Sequence, residues 1–219
     1  MGKTDLTRNT LLVCACAIAF AFVESSVVVY LRALYYPAGF QFPLHAMSAQ
    51  HLTIETVREI ATIIMLITLA MLAGTSRWSR FAFFLIAFGI WDVFYYVWLK
   101  LLLNWPASLI DWDILFLVPL PWIGPVFSPL TVSFIFIAWG IVVLRRDVRS
   151  PSFSPSKLSW TAACLGTALI LFAFLKDLNA TLYFHIPAPF SYGYFLAGIA
   201  LYLVIFIMES ASLFNHNSH

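Results

Sequence analysis

The sequence predicts an all-α, polytopic integral membrane protein: a bundle of six transmembrane helices with a proline-rich interfacial or re-entrant segment between spans 3 and 4. Three observations carry this prediction. Of 219 residues, 62% are hydrophobic and only 10% are charged, against roughly 45–50% and 25% in soluble domains. The mean hydropathy is +0.91, so a water-soluble globule could not cover its surface with polar groups. Apolar runs of about 20 residues, enough to cross a bilayer as a helix, recur six times.

This composition excludes a water-soluble enzyme, a disordered chain and a nucleic-acid binder. A net charge of +2 is too small to imply a polyanionic partner. Cys14, Cys16 and Cys164 all sit within apolar runs; they read as buried thiols, with no disulfide framework or zinc motif.

The spans fall at about 10–35, 52–74, 80–103, 124–144, 158–177 and 190–214. Lys3 and Arg8 lead the first, like the n-region of a secretory signal. Its apolar run continues past any A-x-A-like site to Leu34, so it reads as a retained helix. The connections are short and none could fold alone, so 1–219 is a single domain. Basic residues enrich cytoplasmic loops. Lys3, Arg8, Arg77, Arg80, Arg145, Arg146, Arg149 and Lys157 fall on the N-terminus and the second and fourth connections. Arg32, Arg58, Lys100 and Lys176 fall on the other side. Both termini are therefore expected in the cytoplasm, with the chain in a bacterial inner (plasma) membrane. The sequon Asn179-Ala180-Thr181 would lie near the outer face.

The connection at about 104–123 is too apolar for a water-exposed loop, and Pro119, Pro121, Pro125 and Pro129 each remove a backbone donor. Irregular backbone at membrane depth persists only when packed on protein or facing a wet cavity, so this segment is expected over the outer end of the bundle. Asp113 is placed to cap a turn starting at Ile114. Trp105, Trp112 and Trp122 suit an aromatic belt at headgroup level.

The charges that interrupt the spans point to function, because an ionised side chain at the bilayer centre costs on the order of 2.5–3.5 kcal/mol. Glu24 lies in mid-span 1 with Arg32 two turns later. His51, Glu55, Arg58, Glu59 and Thr62 follow i, i+4, i+7, i+8, i+11, one stripe of span 2. Asp92, Tyr95, Tyr96 and Lys100 lie close to one face of span 3. Arg32, His45, His51, Glu55, Arg58, Glu59, Lys100, Asp111, Asp113, Lys176, Asp177 and His185 belong to the outer third, above a floor of Glu24 and Asp92. Tyr30, Tyr183, Tyr192, Tyr194 and Tyr202 are further candidate hydroxyls. The expectation is an outward-facing polar chamber.

Glu24, Glu55, Glu59 and Asp92 are the candidate acid–base groups, since carboxylates at different depths titrate apart. Arg58, with Arg32, Tyr95, Tyr96 and Lys100, would bind a ligand. A divalent metal is the candidate cofactor: His51 and Glu55 at i, i+4 can chelate one ion, with His45, His185 and Met47 in reach. Asp111-Trp112-Asp113 resembles a D-x-D metal site. The function expected is binding of a metal or a small, lipid-like ligand, with catalysis on a lipid-soluble substrate left open. Two alternatives stand beside it: an accessory subunit of a larger membrane complex, or a proton-coupled transporter. Partners would be the lipid bilayer and other membrane subunits or further copies of the chain.

Overall fold

The computed structural model describes residues 3–149 and 156–215, with side chains for 5–147 and 156–209. The side chains of Lys3 and Arg149, two of the basic residues that set the expected orientation, lie outside those described. The elements are α1 (Lys3–Tyr35), α2 (Ala49–Ala73), α3 (Arg77–Leu103), β1 (Trp112–Phe116), β2 (Trp122–Pro125), α4 (Phe127–Arg149), α5 (Lys157–Leu175), α6 (Leu178–Leu182) and α7 (Tyr192–Asn215). Among the described residues, six helices are long and apolar enough to cross a membrane. The chain is a multi-pass membrane protein.

Serines start three of these helices. Ser48, Ser76 and Ser156 each accept the backbone N–H three residues on, from His51, Ser79 and Ser159, satisfying donors that a first turn leaves orphaned. At Ser76 the bond is reciprocal: the Ser79 hydroxyl also receives the Ser76 N–H. Asn104 ends α3 in the left-handed region at φ 52°, which the short amide side chain of asparagine tolerates.

Lipid is as apolar as leucine, so helices in a bilayer associate through close packing and hydrogen bonds rather than through water exclusion. The small residues sit accordingly. Val13, Ala17 and Ala21 form a buried i, i+4, i+8 stripe on α1 that meets Ala82, Phe83, Ile86 and Ala87 of α3. Gly89 and Gly140 bring α3 and α4 together: a Cβ at Gly89 would lie 2.6 Å from the Ser133 carbonyl oxygen, and one at Gly140 would lie 2.8 Å from that of Ala82. Gly166 and Gly198 do the same for α5 and α7, each facing the other's carbonyl. Polar side chains reinforce the contacts. The Ser25 hydroxyl donates to the Tyr95 carbonyl at 3.1 Å, and Trp98 Nε1 donates to the Ile18 carbonyl at 3.1 Å. A second core joins α5 and α7 through Ile170, Phe174, Phe190, Phe195 and Ile199.

The 104–123 connection takes a definite form, and two expectations are corrected. It carries an antiparallel hairpin, β1 on β2, with Asp113 opposite Gly124 and an irregularity between Ile114 and Phe116. Asp113 is therefore a buried strand residue rather than the cap of a turn. Cys16 and Cys164 are exposed on the helix surface rather than buried, in the direction open to lipid.

Candidate functional site

The hairpin tip packs down onto α2: the Leu117 N–H donates to Glu59 Oε2 at 2.7 Å. Glu59 is ten residues into its helix, about 15 Å along the axis at 1.5 Å per residue. Beneath the hairpin, α1, α2 and α3 enclose a cavity of about 350 Å³, at the lower end of the size range of small-molecule sites.

Each helix contributes one polar stripe. Glu24 of α1 pairs with the Arg58 guanidinium and accepts the Thr62 hydroxyl. Arg58 also donates through Nε and Nη2 to Glu55 Oε2, at 2.9 and 2.8 Å. The i, i+3 and i, i+4 spacings of Glu55, Arg58 and Thr62 place these groups on one face. One guanidinium thus holds two carboxylates from two helices. On α3, Asp92 Oδ2 accepts the Ser133 hydroxyl of α4 at 2.8 Å. Glu24 and Asp92 both lie about 16 Å from the nearer ends of their helices, eleven residues at 1.5 Å each.

A second ion pair closes the upper end. Arg32 Nη2 meets Asp113 Oδ1 at 3.1 Å, and the Tyr96 hydroxyl donates to Asp113 Oδ2 at 3.2 Å. The Arg32 guanidinium lies 3.7 Å from the ring centre of Trp105 and 4.4 Å from that of Phe40, a desolvated cation–π arrangement. Its Nη1 is buried without a hydrogen-bond partner among the described residues, so the rings are its counterpart. Burial pushes the Asp113 carboxyl above its ordinary value, and Arg32 pulls it part of the way back. Burial likewise raises the Tyr36 hydroxyl, opposed by the hydrogen bond from the His45 backbone and by Arg32.

The structure brings Glu24, Arg32, Glu55, Arg58, Glu59, Asp92, Tyr95 and Tyr96 to one cavity, with Asp113 and His45 also on its wall. It does not assemble the proposed metal ligands. His51 Nδ1 meets the Tyr35 hydroxyl at 2.5 Å, His45 Nδ1 meets the Tyr35 carbonyl at 2.7 Å, and Glu55 is held by Arg58. His185 is exposed beside Tyr183, off the cavity wall. Among the described residues no group of three or more His, Cys, Asp or Glu could hold a metal ion. The D-x-D pair also separates. Asp113 faces Arg32 from within β1, whereas Asp111 lies in the turn before the strand, where its Oδ2 accepts the Ala107 and Ser108 N–H groups.

Other expected members serve the loops. Lys100 donates to the Asn104 and Pro106 carbonyls at 3.3 and 2.9 Å. Asp177 accepts the Ala188 N–H, and Lys176 sits 5.9 Å from the Tyr194 ring centre. Tyr202 bonds Thr167, and Tyr30 is exposed. At the opposite end of the bundle, Glu209 is buried with Arg146 and the Ser159 hydroxyl, each at 2.6 Å. Two contributors carried no distinct sequence signal, Tyr35 and Tyr36 at the end of α1, which organise the 36–48 loop; Trp105, expected in an aromatic belt, lies against Arg32 together with Phe40.

A scan of protein-family models finds no match to this chain, and searches of curated proteins and solved structures likewise find none.

Proposed function

We propose that the chain is a membrane-embedded binding protein whose capped cavity takes one small, lipid-like ligand, polar head toward Arg58 and the carboxylates and apolar body along α1 and α2. The observation that carries this is a 350 Å³ space at membrane depth on which carboxylates from three helices converge. Ionisable side chains are retained at that depth where they face one another or a wet interior. In this reading the cavity opens to the extracytoplasmic side of a bacterial inner membrane, with both termini in the cytoplasm. A metal is set aside as the ligand because the histidines are engaged by Tyr35 or lie elsewhere. A second reading, acid–base catalysis on the bound ligand, draws on Glu59 and Asp92: both line the cavity, and among the described residues neither forms a salt bridge.

Native mass spectrometry of the purified protein tests the proposal. The expected result is a stoichiometric small molecule of lipid-like mass. It should be lost in Val28→Trp, which fills a position on the cavity wall, and diminished in Glu24→Gln and Glu55→Gln. A bare protein, or a bound molecule indifferent to all three substitutions, would overturn the reading. Recovery only with a stoichiometric protein partner would favour an accessory subunit, and uptake into liposomes driven by a pH gradient would favour a transporter.

A further inference from the structure

The charges on the cavity wall do not balance. Its described residues include five carboxylates, Glu24, Glu55, Glu59, Asp92 and Asp113, against two guanidiniums, Arg32 and Arg58. Both guanidiniums are engaged: Arg58 by Glu24 and Glu55, and Arg32 by Asp113. Glu59 holds the hairpin through Leu117. Glu59 forms no salt bridge among the described residues, but the Arg58 charge acts on it, whereas no described cation acts on Asp92. One Asp92 oxygen takes the Ser133 hydroxyl, and the other has no hydrogen-bond partner among the described residues. No described Lys, Arg or His pairs with it.

Aromatic residues flank Asp92 along α3. Trp91 and Tyr95 stack with centres 6.5 Å apart, and Tyr96 meets Tyr95 edge-on at 5.0 Å. All three line the same cavity. Electron-rich rings next to a carboxylate attract quaternary and protonated amines. An anionic head would meet the carboxylate excess, and a neutral head offers Asp92 no counter-charge, whereas a cationic head pairs with its ionised form.

We infer that the ligand carries an ammonium head, either a protonated amine or a quaternary nitrogen, which seats on Asp92 against Trp91 and Tyr95. The apolar body then runs along Val28, Leu31 and Leu52, which line the remaining wall. This assignment of ligand class rests on the cavity being a binding site.

Equilibrium binding in maltoside micelles, which contain no ammonium group, tests it with three esters that differ in head charge. These are butyrylcholine, its neutral carbon isostere 3,3-dimethylbutyl butyrate, and the anionic monobutyl succinate. Butyrylcholine should bind once per chain and at least tenfold more tightly than the other two. Asp92→Asn keeps an acceptor for Ser133 and should abolish that preference. Should Asp92→Asn fail to fold, Tyr95→Leu provides a second check, expected to weaken the cation several-fold and leave the neutral ester unchanged. Neutral or anionic binding as tight as that of the cation, or a preference that survives both substitutions, would overturn the ammonium assignment yet sustain a binding cavity. Saturable binding by none of the three would also overturn the assignment, and the co-purified ligand would then decide the cavity reading separately.

Discussion

Substituting Arg58 with methionine keeps most of the side-chain length and removes the single cation that holds Glu24 and Glu55. Those two carboxylates have side chains only 4% and 7% exposed, so neither gains water as a replacement partner. Breaking a buried pair by deleting one member typically costs about 3–5 kcal/mol, mostly through the charge left behind. The Arg58 side chain is 24% exposed to the cavity, which favours the lower end, about 3 kcal/mol. That is roughly a hundredfold in the folding equilibrium. Reversible unfolding in mixed micelles should show this loss. Adding Glu24→Gln and Glu55→Gln to Arg58→Met removes the stranded charges and should recover more than half of it. A loss below about 1 kcal/mol in Arg58→Met, or no recovery in the triple variant, would refute the shared ion pair.

Further outcomes follow from the same structure. Glu59→Gln replaces a charged acceptor of the Leu117 N–H with a neutral one, a weakening of about 1 kcal/mol; hydrogen exchange at Leu117 should quicken by roughly fivefold while α3 amides keep their rates. Asp113 has its folded pKa raised above the ordinary 3.8 by burial. Its contribution to stability is therefore full below pH 3.8 and lost as pH rises through the raised value. Melting curves across that window should slope downward in the wild type and flatten in Asp113→Asn; parallel profiles would contradict the assignment. Gly89→Val places a side chain against the Ser133 carbonyl, 2.6 Å from the first added atom. Because backbone cannot move aside locally, α3 and α4 must part, at a cost of about 1–3 kcal/mol or more, seen as a lower melting temperature.

The helices were legible because a run of some 20 apolar residues has few other uses, and the span 2 carboxylate stripe was legible because its spacing matches one helical face. Glu24, Glu55 and Asp92 do meet in one cavity, as an aversion of charge to lipid implies. The hairpin was hidden. Its prolines argue against a helix without naming a substitute, and strand pairing between 112–116 and 122–125 is a contact that helical periodicity does not encode. Asp113 was misplaced for that reason. The histidines misled because chelating spacing is a local property, whereas what engages His45 and His51 is Tyr35, a residue easily taken for an interfacial aromatic. The hidden part of the site is thus its upper end, where loops and aromatic stacking decide position.

Electron cryo-microscopy of the protein purified in its native lipids decides whether these carboxylates share one ligand-filled space. The expected map shows Glu24, Glu55 and Asp92 around one space beneath the 112–125 hairpin, with non-protein density between Arg58 and Asp92. A hairpin turned away from Glu59, or carboxylates in separate surroundings with the space filled by side chains, would contradict it.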